Sequence, residues 1–259
     1  MIAMSYQRIL YDVHAPVARI TMNRPEKRNA LDTATIDELQ AALTEAERAA
    51  AVSVVLLRGA GRDFCAGVDL AGLQRIAEGA GPTENLADAM RLGELLIAMR
   101  RHRCIIVGAV QGNAVAGGAG LATACDLILA ADDAVFGYPE VNLGFVPAMV
   151  MTLLRRALGE KLALELAVRG ERIDAAHALR IGLINHIFAR DSFDAAVEQW
   201  VTGLGARSGS ALQLTKRLFY GMEGVPFEEA IRRGAEVNVL ARYTDDCRDG
   251  VRRFLERQK

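Results

Sequence analysis

Apolar and polar positions alternate from the start of the chain. Ile9 to Val13 and Val17 to Met22 flank the turn His14-Ala15-Pro16, and in the second run Ala18, Ile20 and Met22 are separated by Arg19 and Thr21. That period of two predicts a β-hairpin. After the polar stretch Asn23 to Asn29 the period lengthens, with Ile36, Leu39, Leu43 and Ala46 on one helical face and Asp32 placed as its N-cap. Val52 to Leu57 is an apolar run broken only by Ser53 and ends at Gly59, as expected of a strand covered on both faces. The alternation then repeats: a helix around Leu86 to Met99, a strand over Ile105 to Val110, a glycine-rich turn, a short helix, and a strand over Leu127 to Ala130.

Helical periodicity takes over later. Glu160 to Arg169 is predicted to end at Gly170, Asp174 to cap a segment ending at Gly182, and Leu183 to Phe188 to be a short extended piece. Beyond Asp191 only helices are predicted, the last around Thr244 to Arg257. The chain therefore reads as an α/β core of ββα units over residues 1–191 and a helical C-terminal segment over residues 192–259, the latter expected to cover the site and to meet other subunits.

Composition narrows the classes of partner. A chain of 259 residues with 51% hydrophobic residues, 24% charged residues and a net charge of −1 can bury a large core, and it carries no global field for nucleic acid or anionic membrane. The uncharged stretch Ile105 to Cys125 is long enough for a membrane span, but Gly108, Gly112, Gly117, Gly118 and Gly120, with Gln111 and Asn113, make a poor membrane helix. Cys65, Cys104, Cys125 and Cys247 have no paired spacing and read as reduced thiols in a cytoplasmic protein. The N-terminus shows no secretory pattern. His14, His102, His177 and His186 form no ligand pair, so no metal is expected.

Three segments carry candidate chemistry. Phe64 to Leu70 and Gly112 to Gly120 are glycine-bearing turns that follow strands and lead into helices. Such turns let backbone N–H groups approach a ligand, although close helix-on-sheet packing explains glycines more often than catalysis does. Neither matches a phosphate-binding P-loop. In Phe136-Gly137-Tyr138-Pro139-Glu140-Val141-Asn142-Leu143-Gly144 a lone carboxylate lies between a proline and apolar residues. Glu140 reads either as a desolvated general acid or base or as an exposed loop side chain.

The segments N-R-P-E-K-R-N-A-L, F-C-A-G-V-D-L, A-V-A-G-G-A-G-L-A-T-A-C-D and F-G-Y-P-E-V-N-L-G-F-V-P-A closely resemble the enoyl-CoA hydratase/isomerase (crotonase) superfamily in content, order and spacing, from about Val17 to Phe188. The resemblance implies a spiral of ββα units of the ClpP/crotonase type and a trimer or hexamer. It implies an acyl-CoA substrate, with CoA arriving as part of that substrate and no separate cofactor. Carried over residue by residue, the backbone N–H groups of Val68 and Gly117 would form an oxyanion hole for the thioester carbonyl. Loss of one such donor typically costs about 10²–10³ in rate. Arg28 to Leu31, including Ala30, and Ala66 to Ala71, including Val68, Asp69 and Leu70, would face the CoA moiety. Arg28 would approach a phosphate, and Asp69 would cap the following helix.

One position departs from the family. Many of its hydratases use two glutamates; Glu140 matches the second, and Gly120 stands where the first would be. A single acid/base favours double-bond isomerisation of an enoyl-CoA through Glu140. The alternative is a hydratase, of branched-chain or methylglutaconyl-CoA type, that lacks the first glutamate. Leu73 to Met90 and Phe145 to Met151 are the expected acyl-lining segments. Two rivals remain. A ClpP-like serine hydrolase is disfavoured because Ser53, Ser192, Ser208 and Ser210 lie outside these motifs. A non-catalytic CoA-ester- or RNA-binding relative would use Arg100-Arg101-His102-Arg103, which also reads as the basic end of a helix.

Overall fold

The computed structural model describes residues 6–69, 71–72, 74, 78–79 and 81–257. The opening hairpin becomes the edge of a larger sheet. Strands β1 (Ile9–His14) and β2 (Val17–Met22) pair antiparallel, and β3 (Val54–Gly59), β4 (Ile105–Val110), β6 (Leu127–Ala131) and β9 (His186–Phe188) continue in parallel, in the order β1-β2-β3-β4-β6-β9. A second sheet holds β5 (Asn113–Val115), β7 (Val135–Gly137) and β8 (Arg172–Asp174). The chain thus rises through the first sheet and returns through the second, unit by unit.

The larger sheet is covered on both faces, which explains its apolar runs. Along β3, Val55 and Leu57 join a core with Leu39, Leu43, Leu95 and Met99, whereas Val54 and Leu56 face Phe193, Val197 and Val201. The first of these layers comes from helices α1 (Thr33–Arg48) and α2 (Pro82–Arg101). Helices α3 (Gly117–Ala124), α4 (Ala148–Arg169) and α5 (Ala175–Arg180) extend it. The opposite layer comes from α6 (Phe193–Gly205), followed by α7 (Gly209–Gly221), α8 (Phe227–Arg242) and α9 (Asp245–Glu256).

Local signals explain the helix ends. Asp32 Oδ1 accepts from the Thr35 N–H at 2.8 Å and Asp174 Oδ1 from the His177 N–H at 2.7 Å, each satisfying a donor with no intrahelical partner. The C-terminus of α1 is capped from a distance by Arg103, whose guanidinium donates to the carbonyls of Glu47, Ala49 and Val52 at 2.6–2.7 Å. Arg100 pairs with Glu223 at 2.8 Å and lies 4.0 Å above the Tyr220 ring. Two arginines of the basic cluster are therefore spent within the fold.

The sequence expectation differs from the structure in two places. The helix expected from Glu160 begins at Ala148 and bends at Gly159 (φ 75°, ψ 178°); a glycine in the left-handed region looks, in sequence, like an end. The second sheet was not anticipated, because strands of three residues are too short to display a period. No helix among the described residues is long and apolar enough to cross a membrane, and Ile105 to Cys125 divides into β4, β5 and α3.

A buried ion pair bolts the C-terminal helices to the core. Lys216 on α7 has a side chain 3% exposed and donates to Asp126 Oδ2 at 2.7 Å and to the carbonyls of Met99 and Cys104 at 3.0 and 2.9 Å. Asp126 also accepts from the Ile106 N–H and the Tyr220 hydroxyl. Removing one member strands the other in a dry interior. Lys216→Ala is expected to lower the unfolding free energy by about 3–5 kcal/mol, read from urea denaturation; an unchanged midpoint would show that the pair does not hold α7 in place.

Candidate active site

Main-chain pairing brings the sequence motifs together. The Ala66 N–H donates to Arg28 O at 3.0 Å, the Leu31 N–H to Gly67 O at 2.7 Å and the Asp69 N–H to Leu31 O at 3.0 Å, so residues 28–31 run beside 66–69. On the other side the Cys65 N–H donates to Asn113 O at 3.0 Å and the Val115 N–H to Cys65 O at 3.1 Å. Next in line, the Ala116 N–H donates to Gly137 O at 2.9 Å. Three loops distant in sequence are thereby laid side by side, ending three residues short of Glu140.

Two glycines let the central pair approach. Gly67 adopts φ +90°, and a Cβ there would lie 2.9 Å from Val115 O and 3.3 Å from Gly117 N. A Cβ at Gly118 would lie 2.2 Å from Cys65 O, closer than any side chain tolerates. Between them Ala116 is held at φ 50°, ψ −125°, a conformation costing a non-glycine residue about 1–3 kcal/mol.

This approach leaves two donors free. The bonds flanking Val68 use the Gly67 carbonyl and the Asp69 N–H, so the Val68 N–H points away from residues 28–31, as alternation along an extended chain requires. Gly117 is the first residue of α3, where an N–H has no intrahelical acceptor. Neither donates to any group among the described residues. Val68 is 40% exposed, so its turn opens to solvent.

Arg24, which the sequence reading passed over as loop, fixes this arrangement. Its buried guanidinium donates to Ala30 O at 2.8 Å, to Asp69 Oδ2 at 3.0 Å and pairs with Asp32 at 3.1 Å. Asp69 Oδ1 accepts from the Ala71 N–H at 3.0 Å. That bond, with Arg24 behind it, holds the Asp69 carboxyl below the usual range. Asp69 is thus occupied within its own loop. Arg28, at φ 51°, is exposed and without a partner among the described residues. Ala30 is buried under Arg24, Ala66 is half-buried and Ala71 exposed; Leu70, and Leu73 of the expected acyl-lining segment, lie outside the described residues.

Glu140 sits in a 3-10 turn, Pro139–Leu143, started by the proline and closed by Gly144 in the left-handed region. The segment leading to it is pinned by Tyr138, fully buried, whose hydroxyl meets Thr123 Oγ1 at 2.8 Å. Glu140 is half-buried, and its Oε2 is shielded from solvent with no hydrogen-bond partner among the described residues. Burial pushes its carboxyl above the ordinary range, because the charged form loses more solvation than the bond from its own backbone N–H restores. An acid–base group with that freedom can exchange protons with a ligand.

Other reactive groups are accounted for differently. The Cys65 thiol, beneath the turn, is fully buried and pushed up to about 12 by that burial, so it is not a thiolate nucleophile. No cluster of potential metal ligands occurs among the described residues. A cavity of about 660 Å³ between the end of α2 and α7 is lined by Arg100, Arg103, Lys216 and Tyr220, side chains already engaged in the capping and ion-pair contacts above. The turn that carries Glu140 continues into Phe145, whose N–H donates to Glu140 O at 3.0 Å, and Val146, while Met149 Sδ approaches α2 at Gly93.

Parallel units spiralling between two sheets, with paired glycine turns at the crossing, define a crotonase-fold protein. Comparison with solved structures agrees: an enoyl-CoA hydratase from Mycobacterium smegmatis superposes with a TM-score of 0.92 at 28% identity over 97% of both chains. AtuE from Pseudomonas aeruginosa gives 0.91 at 31% identity, again over 97% of both chains. The model of the enoyl-CoA hydratase/isomerase family matches residues 12–259. A Thermus thermophilus protein with a provisional enoyl-CoA hydratase name is 37% identical over 93% of this chain and 95% of its own, and the crotonyl-CoA hydratase of Syntrophomonas wolfei is 30% identical over 99% and 98%. The chain belongs to the enoyl-CoA hydratase/isomerase family, whose enzymes act on acyl-CoA thioesters.

The raised Glu140 carboxyl has a consequence for stability. Its contribution is complete below the unfolded-state value near about 4.3 and is lost as pH rises through the higher folded-state value. Glu140→Gln is therefore expected to melt above the unsubstituted protein at pH 7, with the gap closing toward pH 4. A gap of opposite sign at pH 7 would mean that the carboxylate is stabilised by a partner.

Proposed function

We propose that the chain is an enoyl-CoA hydratase that works with one carboxylate, Glu140. The observation that carries this reading is the shielded Oε2 of Glu140, without a partner among the described residues, on the segment whose preceding strand is bonded to the Gly117 turn. In the proposed reaction the thioester oxygen of a 2-enoyl-CoA lies between the Val68 and Gly117 N–H groups. Water adds its oxygen to C3 while Glu140 takes the released proton, and the π electrons move onto the thioester oxygen as an enolate. The two N–H groups stabilise that charge. When the enolate collapses, Glu140 returns the proton to C2, and the net change is addition of one water. No metal or redox step enters.

The CoA moiety is assigned to residues 28–31 and 66–71, with Arg28 toward a phosphate and Ala30, Ala66, Leu70 and Ala71 against the remainder. Support comes from the side-by-side run of residues 28–31 and 66–69 and from the Arg28 guanidinium, which has no partner among the described residues. Hydration leads because the relatives reported above carry hydratase names. Isomerisation is the second reading, favoured by Gly120: with no carboxylate there, Glu140 would carry a proton from C2 of a 3-enoyl-CoA to C4. We also propose a homotrimer or hexamer, since α8 and α9 bury no residue yet carry Phe227, Ile231, Leu240 and Phe254 at 58–75% exposure.

Glu140→Gln should lower turnover by about 10²–10⁴ with CoA-ester binding nearly intact, measured by steady-state kinetics and calorimetry; lost binding with unchanged turnover contradicts the assigned role. In deuterated water, crotonyl-CoA should yield the 3-hydroxy ester with one deuterium at C2. Conversion of 3-hexenoyl-CoA to the 2-enoyl ester without hydration would replace hydratase by isomerase. Light scattering after gel filtration should give a multiple of three times 28.0 kDa, and a monomer would remove the oligomer proposal.

A further inference from the structure

Gly120 lies one helical turn beyond Gly117 on α3, so the two share a face. Its α-carbon is not beside empty space. A Cβ at Gly120 would lie 2.4 Å from Val150 Cγ2 and 3.4 Å from both Val150 Cβ and Cγ1. Val150 comes from the first turn of α4, the helix that follows the Glu140 turn, and is 4% exposed. A valine in a helix has one strongly preferred rotamer, and this one is enclosed by the core that also holds Leu121 and Leu154. The methyl therefore has nowhere to swing, and any side chain at 120 must displace α4 itself.

We propose that Val150 is a specificity-determining residue of this site: it fills the space over Gly120 with hydrocarbon, excludes a second acid beside the oxyanion turn, and confines proton transfer to Glu140. The inference rests on the reading of Glu140 as the acid/base and deepens it. Positions 120 and 150 form a size-matched pair, so that a carboxylate at 120 requires a smaller residue at 150. The acyl group then meets one acid and, on the α3 side, an apolar wall.

The pair is tested first by packing alone. Gly120→Ala should melt roughly 3–10 °C lower than the parent, and adding Val150→Ala should recover much of that loss, a departure from additivity expected only for residues in contact. Additive shifts would overturn the proposal. The second arm reads chemistry: Gly120→Glu combined with Val150→Ala should add an ionisation to the pH profile of kcat/KM for crotonyl-CoA that neither the parent nor Val150→Ala shows. If Gly120→Glu alone is as stable as the parent and already shows it, Val150 is not what excludes the acid. If the folded double variant lacks it, the pair is packing only, and the proposal fails. Turnover that survives Glu140→Gln would sink the single-carboxylate reading while leaving the melting cycle intact.

Discussion

The site depends on a close approach of two stretches of main chain. Residues 65–68 cross 115–118 so tightly that a single β-carbon at Gly118 would lie 2.2 Å from Cys65 O and one at Gly67 would lie 2.9 Å from Val115 O. Backbone can meet backbone at that distance only where side chains are absent. The crossing brings together two donors, the N–H groups of Val68 and Gly117, the first freed because its neighbours carry the ladder bonds and the second because it opens α3. Main-chain donors cost no side-chain entropy to hold and leave the residue at 68 free to vary.

The remainder of the fold keeps that crossing in register. Arg24 ties residues 30, 32 and 69 together from one buried guanidinium, and Asn113, which opens the returning strand, is held by Asp63 Oδ1 through its N–H at 2.9 Å and its side-chain amide at 2.6 Å. Beneath, the larger sheet is dry on both faces. The strain at Ala116 is borne by these contacts. By contrast, Glu140 Oε2 has no hydrogen-bond partner among the described residues. Arg24 and Asp63 spend most of their hydrogen-bonding capacity on the scaffold, whereas Glu140 Oε2 spends none.

Much of this was legible in the sequence for identifiable reasons. Strands β3, β4 and β6 showed because a sheet covered on both faces writes near-continuous apolar runs, β1 and β2 because they alternate, and Asp32 and Asp174 because caps have a fixed chemistry. The motif residues around Val68, Gly117 and Glu140 were legible through their resemblance to a family, whereas their mutual approach was not. The glycines at 67 and 118, taken alone, read more readily as packing than as chemistry until the partner atoms were seen. Arg24 was hidden because its partners lie 6 to 45 positions away, and Val150 because an apolar residue near a proline carries no mark of what it faces. Its only trace was the glycine at 120, which in sequence read as a missing acid and in structure is an occupied space.

The central claim, that the Val68 and Gly117 N–H groups polarise a thioester carbonyl, is tested most directly by isotope-edited vibrational spectroscopy of a 13C=O-labelled enoyl-CoA bound to Glu140→Gln. Two hydrogen bonds in a site shielded from water should shift the carbonyl stretch to lower frequency than in solution. A bound ester whose carbonyl stretch matches the free ester in water, or lies above it, would contradict the account.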